Sequence, residues 1–269
     1  DPEELTDVAE YYHYIGEDQK ALETADYATQ MYPTATVPLA FKARMALLSD
    51  NNPQLADEIA EMIIDKSDLD YLYLKAEIMI VDNKTSEADD FLQKQYDEII
   101  SAEEHEDYIL DVAALFSDYE ETEYVEKWLN RSTKTEDNDY KELHAHILKN
   151  RGKYKESETI LNELLDTNPY SGPYWNQLAQ NQLLRNDIQD SITSSEYSIA
   201  INPDDEEAIL NKANGLFTLG NYEESLKYYE RYKRLCHHQD TSIVDVTIGH
   251  IYLMQGNASE AQRYYHLAL

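Results

Sequence analysis

Cys236, His237, His238 and Asp240 place four side chains of metal-ligating type within five residues. Thiolate, imidazole and carboxylate can together hold zinc. A closed zinc site needs a second ligand pair at a recognisable spacing, and none follows here, so the segment reads as a polar turn between helices. His144 and His146 stand two apart in a helical stretch, so they point to different faces and do not share a metal. With only 7 glycines in 269 residues, neither GxGxxG nor GxxxxGK[ST] occurs. No calcium loop of alternating acids around a glycine is present either. The expectation is no catalytic residue, no cofactor, no metal and no enzymatic activity. The 23 tyrosines against 4 phenylalanines suggest ring stacking, yet Tyr12, Tyr154, Tyr222, Tyr229, Tyr252 and Tyr265 fall on apolar stripes and read as core aromatics with a polar tip.

The elements behind these residues are set by a repeat. Ala9, Ala43, Ala76, Ala113, Ala145, Ala179, Ala213 and Gly249 are spaced 34, 33, 37, 32, 34, 34 and 36 apart. A small residue recurring at such a period means one structural unit copied about eight times. In the stretch from Tyr174 to Pro203, Trp175, Leu178, Ala179 and Gln182 make one helical stripe. Asn186-Asp187 breaks it. Ile188, Ser191, Ile192, Ser195, Ser198 and Ile201 make a second, which Asn202-Pro203 ends. The unit is helix, tight turn, helix, stop. In the next copy Asp204 is placed to cap the first helix, with Glu207 three residues on, and Gly220-Asn221 closes it and opens the second. Two helices joined by a short turn cross closely. The ladder residue, met by Ala21, Ala56, Ala88, Ser157, Ser191, Ser225 or Ala261, permits that approach.

These residues resemble the tetratricopeptide repeat, two antiparallel helices in 34 residues. Trp175-Leu178-Ala179 through Pro203, and Gly249-Tyr252-Gly256-Ala261-Tyr265-Ala268, match its pattern closely, and the likeness spans essentially the whole chain. It implies an all-α solenoid, a right-handed superhelix of helix pairs, acting as a bacterial-type scaffold that binds other proteins. The expected copies cover residues 2–35, 36–68, 69–105, 106–137, 138–171, 172–205, 206–241 and 242–269, in one continuous array. Copies between Thr34 and Ser132 depart from the pattern. Asn51-Asn52-Pro53 and Tyr119-Glu120-Glu121 replace the glycine turn, and a longer loop is expected near Ser101–His105. A different all-helical repeat is the alternative for that stretch.

In arrays of this family the first helices line the concave face. Carried over residue by residue, that places Asn176, Gln177, Gln180, Asn211, Asn214, Thr247 and His250 in a mostly neutral groove, with Phe217 as an apolar exception. Amides both donate and accept hydrogen bonds, so a row of them suits an extended peptide backbone. The family's clamp for a C-terminal carboxylate needs lysines that are missing here; Asn176, Gln180 and Asn211 are followed by Ile243 and Thr247. In the second and third copies Ala40, Phe41, Leu47, Tyr73, Leu74 and Ile80 are expected to face inward beside Arg44 and Glu77. Phe41, Tyr73 and Leu74 would then form an apolar interface.

Charge narrows the partners. The formal net charge is −32. Residues 1–134 carry 33 acidic and 10 basic side chains, net −23, and residues 135–269 carry 21 and 12, net −9. Nucleic acid is excluded for want of a basic footprint, and anionic membrane surfaces are disfavoured. No apolar run approaches the ~20 residues that cross a bilayer. A basic partner steered to the N-terminal half is one reading of the asymmetry, and a solvated surface that keeps the array soluble is the other. The single Cys236 fits a reducing compartment and a cytoplasmic location, although Asp1-Pro2 without Met leaves room for a removed leader and a periplasmic one. The chain stops at Leu267-Ala268-Leu269 inside an apolar helix face. That leaves two alternatives to a free-standing scaffold: the repeat segment of a larger enzyme or regulator, and a self-assembling module dimerising through this end or the apolar patch.

Overall fold

The computed structural model describes residues 1–48, 51–236 and 241–269, and the described residues contain helices and no strands. The helices alternate in chain order as first and second members of eight pairs. They are α1 (Pro2–Tyr14) with α2 (Asp18–Met31), α3 (Thr36–Leu48) with α4 (Pro53–Ala60), α5 (Leu69–Val81) with α6 (Thr85–Glu98), and α7 (His105–Asp118) with α8 (Thr122–Leu129). Then come α9 (Asn138–Asn150) with α10 (Tyr154–Thr167), α11 (Gly172–Leu184) with α12 (Ile188–Ile201), α13 (Glu206–Thr218) with α14 (Tyr222–Leu235), and α15 (Ser242–Met254) with α16 (Ala258–Leu267). The sequence reads as one array; the chain groups into two compact units, Asp1–Thr135 and Glu136–Leu269.

The ladder residues sit at the crossings as the spacing demands. Ala9, Ala43, Ala76, Ala113, Ala145, Ala179 and Ala213 are all completely buried, and Gly249 is buried with them. A Cβ on Gly249 would lie 2.7 Å from the Tyr265 ring and 3.2 Å from the Ala261 carbonyl, so this crossing is closed to any side chain. At three of the four crossings in the second unit the residues carry more than small size. The hydroxyls of Ser157, Ser191 and Ser225 donate to the carbonyls of Ala145, Ala179 and Ala213 at 2.7, 2.7 and 2.9 Å. Each bond ties the second helix to the carbonyl of the ladder residue it crosses. The first unit has Ala21, Ala56 and Ala88 at these places and packs there by contact alone.

A second ladder runs through the turns. Gly16, Asn51, Asn83, Glu120, Gly152, Asn186, Gly220 and Gly256 all have left-handed backbone, with φ between 46° and 80°. All but Asn51 close the first helix of their pair with the same backbone bonds, such as Glu120 N to Ser117 O at 3.0 Å and Glu121 N to Phe116 O at 3.0 Å. Glycine and asparagine enter this region readily; glutamate does so at a cost of about 1–2 kcal/mol. Glu120→Gly removes that cost and adds only the entropy of a freer unfolded chain. The expected result is a gain of about 0.5–1 kcal/mol, read as a raised urea midpoint with unchanged slope. A lowered midpoint would contradict it.

The irregular copies are irregular in a defined way. Helices α4 and α8 have 8 residues each, where α2, α6, α10, α12 and α14 have 14. After α4, the Lys66 ammonium donates to the carbonyls of Ala60 and Glu61, both at 3.2 Å, and satisfies the helix end. After α8, Glu106 accepts from Ser132 Oγ at 2.8 Å, Thr133 N at 3.1 Å and Thr133 Oγ1 at 2.6 Å. The expected longer loop spans residues 99–104 between α6 and α7. Caps fall close to the sequence reading. Asp205, one residue beyond Asp204, caps α13 through the Ala208 N–H at 2.9 Å, and Asn221 opens α14 without a side-chain cap.

One expectation is corrected. Phe41 and Leu74 do not form an open apolar face. Phe41 packs with Ala9, Ala21 and Ala25 of the neighbouring pair and with Met45 of its own helix, and Leu74 packs against Leu39, Ala43 and Leu47. Ala40, Leu47 and Ile80 are buried too. These positions lie where first helices pack side by side, so apolar residues there join the core between pairs. Tyr73 alone stays half-exposed. It stacks on Tyr108 at 5.8 Å, and its hydroxyl donates to Asp111 at 2.9 Å.

Candidate binding face of the second unit

The amides read from the sequence are brought together on α11 and α13, and their partners come from α9 and from the segment opening α13. Gln177 Nε2 donates to Glu142 Oε1 at 3.0 Å. Asn176 Nδ2 donates to both carboxylate oxygens of Asp205, at 3.1 and 3.0 Å. Gln180 Nε2 donates to Glu207 Oε1 at 2.6 Å, and its Oε1 accepts from Lys149 Nζ at 3.1 Å. Lys149, Gln180 and Glu207 thus link three successive first helices, with the Gln177–Glu142 and Asn176–Asp205 pairs beside them. Asn214 Oδ1 accepts from the Tyr229 hydroxyl at 2.6 Å. Thr247 bonds back to Ile243 O of its own helix at 2.9 Å, and His250 is exposed with its ring edge toward Phe217. These two residues of α15 stand apart from the network.

Burial divides the amides. Asn176 is 3% exposed and Asn211 5%, whereas Gln177, Gln180 and Asn214 are half-buried. Two buried amide atoms on this face have no hydrogen-bond partner: Asn176 Oδ1, an acceptor, and Asn211 Nδ2, a donor. Buried polar atoms are almost always satisfied, because leaving one unpaired costs about 1–3 kcal/mol.

Three carboxyl groups frame the amides: Glu142, Asp205 and Glu207. Burial pushes Glu142 above the usual carboxylate range, against hydrogen bonds from Gln177 and Tyr174 that pull it down. Partial removal from water pushes Glu207 up, as does the Asp205 carboxylate beside it, while Lys149 and Asn176 oppose the shift. Burial and Glu142 together raise the Tyr174 phenol. Sequence reasoning missed Glu142, Asp205, Glu207 and Lys149. Glu142 stands three residues before Ala145, as Asn176 stands three before Ala179, so its place in the repeat could have found it.

The histidines take different places. His144 lies with its ring edge-on to Tyr140, 5.9 Å away. Of the sequence segment at Cys236, residues His237, His238 and Asp240 lie outside the described residues; Cys236 forms no disulfide. Among the described residues no group of three or more His, Cys, Asp or Glu side chains is arranged to hold a metal ion. No helix among them is long and apolar enough to cross a membrane.

No family model and no curated protein matches the sequence. Solved structures do match in fold. A tetratricopeptide repeat protein from Parabacteroides merdae superposes with a TM-score of 0.62 at 14% identity, over 93% of this chain and 98% of that one. MamA of strain AMB-1 superposes with a TM-score of 0.51 at 15% identity, over 60% of this chain and 95% of its own. MamA of strain MSR-1 gives 0.50 at 13%, over 61% and 95%. With its eight helix pairs, its ladder of small residues at the crossings and these neighbours, the chain has the fold of the tetratricopeptide repeat proteins.

Proposed function

We propose that this protein is a non-catalytic scaffold that holds an extended segment of a protein partner against α9, α11 and α13. The observation that carries the reading is the pair of buried, unpartnered amide atoms, Asn176 Oδ1 and Asn211 Nδ2, beside a row of amide–carboxylate pairs. An acceptor and a donor without partners are the complement of a peptide backbone, which offers one N–H and one C=O per residue. The net charge of −32 favours a basic segment and a fast, salt-sensitive encounter. The single cysteine is consistent with a cytoplasmic location, which is part of the same proposal.

The test is affinity capture from the source cells, with partners quantified by mass spectrometry. The wild type is compared with the quadruple variant Asn176→Ala, Gln180→Ala, Asn211→Ala and Asn214→Ala, with helical content checked by circular dichroism. Loss of two satisfied hydrogen bonds lowers affinity on the order of 10-fold or more. Specific partners should therefore fall away from the folded variant. Unchanged capture by a folded variant would sink the assignment of this face.

A further inference from the structure

The carboxylates do more than frame the amides; they orient them. A carboxylate only accepts hydrogen bonds, so an amide beside it must turn its NH2 group inward. Asn176 does so toward Asp205, Gln177 toward Glu142 and Gln180 toward Glu207. Every amide of α11 on this face is thus poled the same way. Its donors are engaged by the protein's own carboxylates and its carbonyl oxygens are turned away from them. Gln180 Oε1 meets Lys149, and Asn176 Oδ1 is left buried without a partner although its own Nδ2 sits on Asp205. No donor of these three amides is left over; the one unpartnered atom that is buried among them is an acceptor, Asn176 Oδ1.

Nor is the negative charge balanced there. Among the described residues no lysine or arginine forms an ion pair with Glu142, Asp205 or Glu207. Lys149 acts on Glu207 at longer range, and Asp139 adds to the negative charge around Glu142. Lys149 apart, cations of this unit sit elsewhere: Lys212 on Glu196, Arg185 on Glu158 and Asp187, Lys141 on Glu136 and Glu163, Arg263 on Glu260. Three carboxylates are held here by neutral donors, where Glu136, Glu156, Glu158 and Glu196 of the same unit pair with cations. This differs from a solvated acidic surface, because Glu142 and Asp205 are partly buried and the buried amide oxygen of Asn176 beside Asp205 lacks a donor.

We infer that this place on α9, α11 and α13 is a subsite for a cationic side chain of the bound segment, received by Glu142, Glu207 and the carbonyl ends of Asn176 and Gln177. An arginine guanidinium fits best. It brings five donors in a planar fork and remains charged when partly desolvated. The inference rests on the reading that this face holds a protein segment, and it adds the chemistry that the segment must carry.

The probe is an acetylated hexa-arginine amide, set against hexa-citrulline, which has nearly the same shape and no charge. Both are titrated at 150 mM salt into 15N-labelled protein, following the side-chain NH2 resonances of Asn176, Gln177, Gln180, Asn211 and Asn214. The expected result is saturable shifts of Asn176, Gln177 and Gln180 with hexa-arginine. Affinity should be at least about 10-fold weaker for hexa-citrulline and for the double variant Glu142→Gln and Glu207→Gln. If the double variant fails to fold, Glu207→Gln alone serves. The pair Asp166→Asn and Asp190→Asn, on exposed positions of second helices, should change affinity less than about 2-fold. Equal weakening by that pair would mean diffuse attraction and would overturn the subsite. Equal shifts of Asn211 and Asn214 with both peptides would leave the binding face standing and overturn the subsite alone. Shifts of none of these resonances by either peptide would overturn both.

Discussion

Replacing Asp205 with alanine is expected to destabilise the protein by about 3 kcal/mol, the largest loss for any single carboxylate of the second unit. Asp205 joins three helices. It caps α13 through the Ala208 N–H, accepts the Ser198 hydroxyl of α12 at 2.7 Å and holds both bonds from Asn176 of α11. Loss of the cap costs about 1 kcal/mol. Asn176, only 3% exposed and already short of one partner, would lose both of its bonds to Asp205, which adds about 1–3 kcal/mol. Ser198 loses less, because its hydroxyl also reaches the Gly172 carbonyl at 3.2 Å. Relief of the repulsion from Glu207 offsets part of the total. Asp205→Asn keeps an acceptor for the cap and should cost about 1 kcal/mol. Urea denaturation, followed by circular dichroism and by emission from Trp175 next to Asn176, measures both. A loss below about 1 kcal/mol for the alanine variant would show that Asp205 does not join these helices.

Asp205 also marks how far the sequence could be read. The fold was legible because its signals are local. A small residue at each crossing and an apolar stripe on each helix are steric needs that repeat with the unit, and every ladder position is buried as expected. Turns were legible where glycine occupies the left-handed position. They were obscure at Asn51 and Glu120, where other residues are forced into the same φ. The cap was placed at Asp204 and lies at Asp205 because two aspartates are adjacent, and only the Asp205 carboxylate bonds the Ala208 N–H. The amides of the binding face were found from their place around the ladder. Their partners were not, since Glu142, Asp205 and Glu207 lie 27 to 35 residues away and meet them only once pairs stack. Phe41 and Leu74 show the reverse error: position around the ladder suggested exposure, and the neighbouring pair covers them.

Trp128→Ala is expected to cost the first unit about 4 kcal/mol, because it removes the largest of the three side chains that α8 buries, beside Val125 and Leu129. An isolated 8-residue helix is unstable in water, so its stability must come from packing. Trp128 supplies it. The side chain is fully buried, and its Nε1–H donates to Asp89 at 2.9 Å, a carboxylate itself only 4% exposed. Tyr96 and Tyr108 meet its ring edge-on at 6.1 and 6.0 Å. The Arg131 guanidinium lies 4.3 Å from the Trp128 ring centre and 4.1 Å from that of Tyr96, and His105 stacks on Tyr96. The truncation leaves a cavity, worth about 3–5 kcal/mol for a buried aromatic, and dissolves the edge contacts. Lys127 remains to balance Asp89, which limits the penalty for the orphaned carboxylate. Trp128→Phe fills most of the volume but leaves the carboxylate without its N–H donor, and should cost about 2 kcal/mol. Urea denaturation by circular dichroism separates the two variants. If alanine and phenylalanine cost the same, the bond to Asp89 holds α8 in place; if phenylalanine costs nothing, packing alone does. The intermediate value expected here requires both, and it explains how a pair with a short second helix and no glycine in its turn keeps its place in the repeat.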